Sequence, residues 1–358
     1  MSIYKCPKCQ PPQNYSNQPT CPHCGSPTEF QRAVSFVDAP GHEALMATML
    51  SGAAVMDGAL LVIAADEPCP QPQTREHLAA IEIVGIKHIV IVQNKIDIVS
   101  QERSMQSYKE IRDFVKGTVA ENAPIIPVSA QHKVNMDALI YAMEKFLPTP
   151  KRDPSKPPLM YIVRSFDINK PGTPIEKLAG GVIGGTIFQG KFKVGDEIEI
   201  RPGIRTQKGG KTVYEPIFTR IVSLHVGGQQ LKEAQCGGLI GVGTLLDPSM
   251  TKADGLTGNI AGKPDMLPPT QFELTLEMRF FERAVGTKEL VAVDKTHVGE
   301  TLLLHVGASI TVGNVVSVKG ETNTLKLVRP VCAQEKSRVA VSRKIGGRWR
   351  LIGYGIIK

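Results

Sequence analysis

The first 147 residues alternate short apolar runs with longer stretches of helical periodicity. Residues 88–93 are apolar and β-branched almost throughout, as expected of a parallel strand buried on both faces. The same pattern predicts strands at 34–38, 59–65, 88–93 and 125–129, and helices at 42–56, 74–84, 103–118 and 136–147. This alternation is typical of a doubly wound α/β sheet with crossover helices.

The pattern changes after residues 148–158, where five of eleven residues are proline and a stiff linker is expected. From Met160 onward, short strands punctuated by glycine replace the helical periodicity. Residues 180–186 and 192–200 are typical of strands in a small closed barrel. A second boundary is predicted at 263–269, and residues 270–358 again have an all-β pattern.

Polar residues follow the strand at 88–93, where open α/β sheets bind their ligands. They are Asn94, Lys95 and Asp97. A carboxylate such as Asp97 can accept two parallel hydrogen bonds from N1–H and the 2-amino group of guanine. Adenine would leave that carboxylate unpaired, so such a site rejects adenine strongly. This motif alone is weak evidence, because N-K-x-D also occurs by chance in solvated turns.

Two further polar elements follow predicted strands. Asp38, Gly41 and His42 come after the strand at 34–38, and Ser129-Ala130 comes after the strand that ends near 128. Asp38 suits Mg²⁺ through a water, and the Gly41 amide can approach a γ-phosphate because no Cβ intervenes. His42 is placed to orient an attacking water, and the Ala130 amide can meet guanine O6. In this order and on these strands, the elements predict a nucleotide-hydrolysing site.

A phosphate-binding loop of the form G-x-x-x-x-G-K-[ST] is expected before these elements, and the sequence does not contain it there. A run from Gly185 to Lys191 ends in Phe192, which cannot bind Mg²⁺. A second partial match, Gly210-Lys211-Thr212, has Arg205 where the first glycine belongs. Both lie in the β-rich half without a following helix, so we interpret them as chance matches.

The 358 residues carry a net charge of +8, which is distributed unevenly. Residues 1–147 have a balance of −3 and the remainder has +11, so a surface facing a polyanion is predicted in the second half. Charge alone leaves RNA binding and simple solubility equally open. No stretch approaches the roughly 20 apolar residues of a membrane span, and no secretory signal is recognisable. We therefore expect a cytoplasmic protein that does not contact membranes.

Four of the seven cysteines form two pairs, Cys6-x-x-Cys9 and Cys21-x-x-Cys24. Two such pairs suit the tetrahedral thiolate site of a structural Zn²⁺. A zinc site or an empty knuckle is favoured over disulfides, because a cytosolic protein rarely keeps disulfides.

Taken together, these motifs resemble the gamma subunits of archaeal and eukaryotic translation initiation factor 2, which are relatives of elongation factor Tu. The resemblance runs from Cys6 to the C-terminus. It is carried by the stretches DAPGHEALMATMLSGAAVMDGALLVIAADEPCPQPQTREH, IVQNKID, RSFDINKPGT, GGVIGGTI, GVGTLLDPSMTKADGLTG and GRWRLIGYG. It implies an incomplete P-loop-type GTPase domain with a zinc knuckle, followed by two all-β barrel domains. The implied bounds are a knuckle at 1–30, the remaining GTP-binding domain at 31–147, a linker at 148–159 and barrels at 160–266 and 267–358.

The resemblance also implies site residues, cofactors and partners. Asp38, Gly41 and His42 match the second switch region and its catalytic residues. The base pocket is implied to contain Asn94, Lys95, Asp97, Ser129, Ala130 and Gln131, and zinc is implied at Cys6, Cys9, Cys21 and Cys24. The implied cofactors are GTP or GDP, Mg²⁺ and structural Zn²⁺. The implied activity is GTP-dependent delivery of methionyl initiator tRNA to the small ribosomal subunit and mRNA, as the core of a heterotrimer with the alpha and beta subunits of initiation factor 2.

Members of this family begin some tens of residues earlier, with the phosphate-binding loop and first switch. We therefore expect the sequence to be an incomplete record of a longer protein, for example through a misplaced start codon at Met1. Without that loop, GTPase activity of this chain alone is doubtful, and a non-hydrolysing scaffold for the alpha subunit and tRNA stays open. A selenocysteine-specific elongation factor is a third reading, and the zinc pairs disfavour it.

Overall fold

The computed structural model describes residues 1–39, 55–285 and 292–358. They form two compact units, one made mainly of residues before Lys151 and the other mainly of those from Lys151 onward. Gly41, His42 and nearly all of the helix predicted at 42–56 lie outside the described residues. In the part of the chain that is described, no helix combines the length and apolarity needed to cross a membrane.

The first unit begins with a small antiparallel sheet that carries the cysteines. Its strands are β1 (Ser2–Lys5), β2 (Tyr15–Ser16) and β3 (Glu29–Ala33), in the order β2-β1-β3. Ile3 is fully buried beneath this sheet, and the Cys6 and Cys21 side chains are also buried.

A three-stranded parallel sheet forms the centre of the first unit. Its strands β4 (Ala59–Ala64), β5 (Ile89–Asn94) and β6 (Ile125–Pro127) lie in chain order. Helices α1 (Pro72–Val84), α2 (Gln101–Val115) and α3 (Met136–Phe146) follow the three strands in turn. These elements confirm the predicted alternation, and Leu61, Ile91 and Ile111 lie in their shared apolar core.

The strand predicted at 34–38 is wrong, because residues 34–39 form no strand in the structure. The Val34 amide donates to the Met1 carbonyl at 2.9 Å, so this segment continues from the edge of the β1–β3 sheet. Among the described residues, β4 pairs only with β5, and no strand pairs with residues 34–38. An apolar run becomes a strand only where a neighbouring strand accepts its backbone hydrogen bonds.

The second unit begins with a six-stranded barrel. Its ring runs β10-β15-β7-β8-β14-β11 and closes through pairing of β10 with β11, while β12 adds to the outside of β11. The strands of this region are β7 (Leu159–Phe166), β8 (Val182–Gln189), β9 (Lys191–Lys193), β10 (Glu197–Lys208), β11 (Lys211–Val226), β12 (Gln229–Leu231), β13 (Glu233–Gln235), β14 (Ile240–Thr244) and β15 (Ile260–Gly262), with the short helix α4 (Pro248–Thr251) before β15. Inward-facing isoleucines fill the barrel, among them Ile162, Ile183 and Ile198.

A second closed barrel completes the chain, in the order β16-β19-β18-β17-β20-β21. Its strands are β16 (Thr270–Val285), β17 (Thr301–Val306), β18 (Ser309–Lys319), β19 (Thr322–Cys332), β20 (Arg338–Ile345) and β21 (Arg348–Ile357). Leucine and valine side chains such as Leu276, Leu304 and Val341 form its core. The α/β elements followed by two closed barrels confirm the predicted order of one α/β domain and two all-β barrel domains.

The two partial phosphate-loop matches have ordinary structural roles. Gly185 lies within β8, and Gly210 lies in the tight turn between β10 and β11 with a φ of +76°. Neither glycine begins a helix, so neither offers the amide-lined helix N-terminus that binds phosphate.

Candidate nucleotide-binding site and metal site

The end of β5 and the loop after β6 meet at one edge of the parallel sheet. The Asn94 side-chain oxygen accepts a hydrogen bond from the Ala130 amide at 3.1 Å. The Asn94 carbonyl accepts a second hydrogen bond from Ala65, just past β4, at 2.9 Å. Three strand ends therefore meet at Asn94, as expected of the ligand-binding edge of such a sheet.

Asp97 lies in a single 3₁₀ turn, Ile96–Ile98, directly after β5. A hydrogen bond from the Ser129 hydroxyl, together with the Asp97 backbone amide and the nearby His132 ring, lowers the pKa of the Asp97 carboxyl. Ser129 is fully buried, and its oxygen also accepts from the His132 amide at 3.2 Å. The carboxylate is therefore held ionised, which is the form that accepts two hydrogen bonds from guanine.

Lys95 has a left-handed backbone conformation, with φ +64° and ψ +32°. This conformation is uncommon outside glycine, asparagine and aspartate, and it often marks a functional site. The Lys95 ammonium lies 3.2 Å from an Asp66 carboxylate oxygen in the loop after β4. The pair is partly exposed at the edge of the sheet, beside the residues of the predicted base pocket.

The remaining predicted site residues are less constrained. Ala130 and Gln131 are exposed, as a base-contacting loop requires. Asp38 is described and exposed, while Gly41 and His42 lie outside the described residues. The structure thus brings Asn94, Asp97 and the Ser129 loop together but leaves the assignment of the switch residues as a prediction.

The four predicted metal-ligating cysteines form one cluster. Their sulfur atoms all lie within 4.8 Å of one another, with 3.5 Å between Cys6 and Cys24 and 3.8 Å between Cys9 and Cys21. A tetrahedral zinc site with Zn–S bonds of about 2.3 Å has sulfur atoms about 3.8 Å apart, so the cluster fits zinc. The same distances exceed the roughly 2.05 Å of a disulfide bond, and all four cysteines are free thiols.

Hydrogen bonds shift the pKa values of Cys9 and Cys24 in opposite directions. A hydrogen bond with Cys24, together with desolvation, raises the pKa of Cys9 to about 12. Hydrogen bonds from the Ser26 hydroxyl and amide lower the pKa of Cys24 to about 6. The shift at Cys24 favours its thiolate, which is the form that binds metal.

The cysteine knuckle packs on helix α3. Arg32 donates to Glu144 at 2.8 Å and to the Met143 carbonyl at 3.0 Å. The rings of Tyr15 and Tyr141 lie 5.5 Å apart. The knuckle and the parallel sheet thus belong to one unit of the fold.

Sequence reasoning missed two residues at the predicted base pocket. Asp66 pairs with Lys95 across 29 positions, and His132 lies 3.6 Å from Asp97. His132 stands three residues beyond Ser129, so the loop assignment offered a signal for it. The sequence signal for Asp66 was weaker, since it is only a polar residue just past the strand at 59–64.

Comparisons with known proteins follow the same organisation. The sequence model of the elongation factor Tu GTP-binding domain matches residues 21–149, and that of elongation factor Tu domain 2 matches 180–252. A third model, of the C-terminal region of initiation factor eIF2 gamma, matches residues 272–357. Translation initiation factor 2 subunit gamma of Pyrococcus horikoshii is 59% identical over 356 residues, covering 99% of this chain and 86% of that protein.

The chain belongs to the family of translation initiation factor 2 gamma subunits. A second relative in this family, from Methanocaldococcus jannaschii, is 57% identical and again has 86% of its length covered. The initiation factor 2 gamma family consists of translational GTPases related to elongation factor Tu, which confirms the class of enzyme predicted from the motifs.

Solved structures share the fold of the initiation factor 2 gamma family at much lower identity. The translation elongation factor SelB of Methanococcus maripaludis, in its apo form, has a TM-score of 0.69 at 23% identity, covering 90% of this chain and 69% of that one. A bacterial selenocysteine-specific elongation factor has a TM-score of 0.71 at 22% identity, covering 89% of this chain and 47% of that one. The much higher identity to initiation factor 2 gamma subunits disfavours the selenocysteine-factor reading.

Proposed function

We propose that this chain is the GTP-switched core subunit that delivers methionyl initiator tRNA to the small ribosomal subunit. In this proposal it acts in the cytoplasm as part of a heterotrimer with the alpha and beta subunits of initiation factor 2. GTP hydrolysis is coupled to start-codon recognition on the mRNA. Membership of the initiation factor 2 gamma family supports the carrier role.

The single observation that carries the guanine-nucleotide part is the ionised Asp97 carboxylate beside the Asn94–Ala130 junction. The Ser129 hydroxyl keeps that carboxylate charged. Asn94 joins the base-binding turn to the loop that supplies the Ala130 amide. In this arrangement Asp97 selects guanine, Ala130 contacts O6, and Lys95 and Gln131 border the base.

The remaining site residues have roles that follow from their chemistry. We assign Asp38 to Mg²⁺ through a water, the Gly41 amide to the γ-phosphate and His42 to the attacking water. Mg²⁺ would neutralise charge on the phosphates. Zinc at the four clustered cysteines would be structural, because four protein thiolates leave no open coordination position.

The domain organisation is part of the proposal. A knuckle at 1–30 and the rest of the GTP-binding domain at 31–147 precede the linker at 148–159. The barrel domains then occupy 160–266 and 267–358. The division between the two compact units, at Pro150 and Lys151, falls within the proposed linker.

An exchange of base specificity tests the proposal. The protein expressed from its complete gene and its Asp97→Asn variant are compared by isothermal titration calorimetry. Each is titrated separately with GDP and with xanthosine diphosphate. Asparagine offers an acceptor to N1–H and a donor to the C2 carbonyl of xanthine, so the variant should prefer xanthine. We expect GDP affinity to fall by about 100-fold or more and xanthosine diphosphate affinity to rise.

The outcomes separate the alternatives. Unchanged base preference in Asp97→Asn would overturn the assignment of the base pocket. No binding of either nucleotide by the unsubstituted protein would overturn the GTP-switched function and favour a non-hydrolysing scaffold. Initiator tRNA binding is then measured by filter retention with GTP and with GDP, and equal retention would contradict a nucleotide-switched carrier.

A further inference from the structure

The loop between β4 and α1 approaches the base-binding turn at its first residues. Ala65 donates to the Asn94 carbonyl at 2.9 Å, and Asp66 follows it directly. The Asp66 carboxylate lies 3.2 Å from the Lys95 ammonium. The position of this loop therefore decides where a negative charge stands beside Lys95.

Two side chains of helix α2 hold the same loop. Glu110 accepts a hydrogen bond from the Cys69 amide at 3.0 Å. Arg103 donates to the Glu67 carbonyl at 2.6 Å and to Glu110 at 2.8 Å. A second hydrogen bond of 3.2 Å joins Arg103 to the other oxygen of Glu110, so the ion pair is bidentate. Backbone groups on both sides of Pro68 are thus fixed to one helix.

The Arg103–Glu110 pair is itself well fixed. Both side chains are about three-quarters buried, and Gln106 adds a hydrogen bond of 3.0 Å to Glu110. The helix begins where the Ser100 hydroxyl accepts from the Arg103 amide at 3.2 Å. Bidentate arginine–carboxylate pairs combine strength with a defined geometry, so this pair can fix the loop's position as well as stabilise the fold.

The contact that the loop makes to Lys95 is weak by itself. The Lys95 and Asp66 side chains are 46% and 31% exposed, and solvent weakens an isolated pair that exposed. Such a pair orders a lysine only if the carboxylate is already held in place. Lys95 has a fixed left-handed backbone, so the remaining freedom lies in its side chain.

We propose that the Arg103–Glu110 pair is a positioning element for guanine nucleotide binding, acting through the 65–69 loop and Asp66 on Lys95. The inference rests on the proposed function, because it assigns Lys95 to the nucleotide site. Neither Arg103 nor Glu110 touches the nucleotide. Their effect reaches it through the fixed loop and the Asp66–Lys95 contact.

A double-mutant cycle tests this path. GDP affinity is measured for the protein expressed from its complete gene and for Glu110→Ala, Asp66→Ala and the double variant. We expect Glu110→Ala to weaken GDP binding about three- to ten-fold and to have less than a two-fold effect once Asp66 is alanine. A purely structural contribution of Glu110 would not depend on Asp66.

The matched control is Glu144→Ala. It removes an ion pair to Arg32 of the same 2.8 Å length and similar burial in the same unit. We expect no change in GDP affinity from it, although the unfolding midpoint falls as in Glu110→Ala. Equal losses of GDP affinity in the two variants would show a general stability effect and overturn the proposal.

Two other results also overturn it. GDP binding that is unchanged in Glu110→Ala would show that the ion pair does not act on the site. Additive effects of Glu110→Ala and Asp66→Ala would show that it does not act through Asp66. If the proposed function itself is wrong, the unsubstituted protein binds no GDP, which distinguishes that case from the two results above. That outcome also overturns this inference.

Discussion

The Asn94 side chain accepts a hydrogen bond from the Ala130 amide at 3.1 Å, across 36 positions of the chain. This bond ties the turn that presents Asp97 to the loop that presents Ser129. Both loops must be in register for one base to contact Asp97 and the Ala130 amide together. Asn94 is therefore as much a structural link as a ligand in the predicted base pocket.

Replacing Asn94 separates these two roles. In Asn94→Ala the loops lose their link, and we expect GDP affinity to fall by about ten-fold, the effect of losing one such hydrogen bond. Asn94→Asp keeps an acceptor for the Ala130 amide, while it loses the amide donor and adds a negative charge. Hydrogen exchange of the Ala130 amide should therefore rise in Asn94→Ala and stay near the unsubstituted rate in Asn94→Asp. Equal exchange in the two variants would contradict the linking role.

The hydrogen bond from Ser129 makes a prediction about pH. Because it lowers the pKa of the Asp97 carboxyl, Asp97 remains ionised well below neutral pH. The Asp97 carboxylate contributes to the stability of the folded protein at every pH above its pKa in the unfolded chain, about 3.9. This contribution is lost as the pH falls through the lower pKa that Asp97 has in the folded protein.

We therefore expect the Asp97 contribution to GDP affinity to be constant from pH 8 to about pH 5. Ser129→Ala removes the hydroxyl donor, so the pKa of Asp97 should rise and the loss of affinity on acidification should begin at higher pH. Titration of GDP affinity at several pH values compares the two proteins, with Asp97→Asn as the reference without a carboxyl. Identical pH profiles for Ser129→Ala and the unsubstituted protein would contradict this account.

The elements flanking the predicted base pocket were predictable because their apolar pattern is strong. The strands at 59–64 and 89–94 carry continuous apolar runs, and the polar residues after them stand at the ligand-binding edge. The strand predicted at 34–38 failed in both pairing and burial, because Phe36 and Val37 are 54% and 39% exposed and no described strand pairs with this segment. Only the sheet order shows which strands have partners.

Pairwise contacts were harder to predict than elements. Lys95 was assigned from its motif, but its partner Asp66 lies 29 residues earlier, in a loop whose path the sequence does not specify. The same holds for Glu110, whose carboxylate reaches the Cys69 amide from a helix surface. The periodicity of α2 marks Ile111 as a core position, while nothing in it distinguishes Glu110 from a solvated acid.

The cysteine cluster predicts one bound zinc ion. Cys9→Ser and Cys21→Ser should abolish zinc retention after gel filtration, measured by atomic emission, because three thiolates and a hydroxyl bind zinc weakly. Cys69→Ser and Cys236→Ser are controls outside the cluster and should retain zinc fully. Chelation should also speed exchange of the Cys6 amide, which donates to the Asn14 carbonyl at 2.7 Å. Slow exchange that survives chelation would show that the knuckle is stable without metal.

Two adjacent glycines in β8 predict opposite effects of the same substitution. Gly185 lies opposite Ile162 and Ile240 in the first barrel, and a Cβ there would stand 1.8 Å from the Tyr161 carbonyl oxygen. Relief requires backbone movement in a closed ring of strands. At Gly184 the nearest atom to an added Cβ is the Arg164 Cβ at 3.6 Å, which is an ordinary contact.

We therefore expect Gly185→Ala to destabilise the barrel by about 3 kcal/mol or more, since overpacking against backbone has no side chain to absorb it. Gly184→Ala should change stability by less than about 1 kcal/mol and can even stabilise, because alanine has fewer unfolded conformations than glycine. Urea unfolding, combined with hydrogen exchange of β8 amides, measures the effect within this barrel. The pair controls for strand propensity, because both substitutions replace glycine with alanine in the same strand. Similar destabilisation by both would show that loss of glycine flexibility, and not the approach to Tyr161, sets the cost.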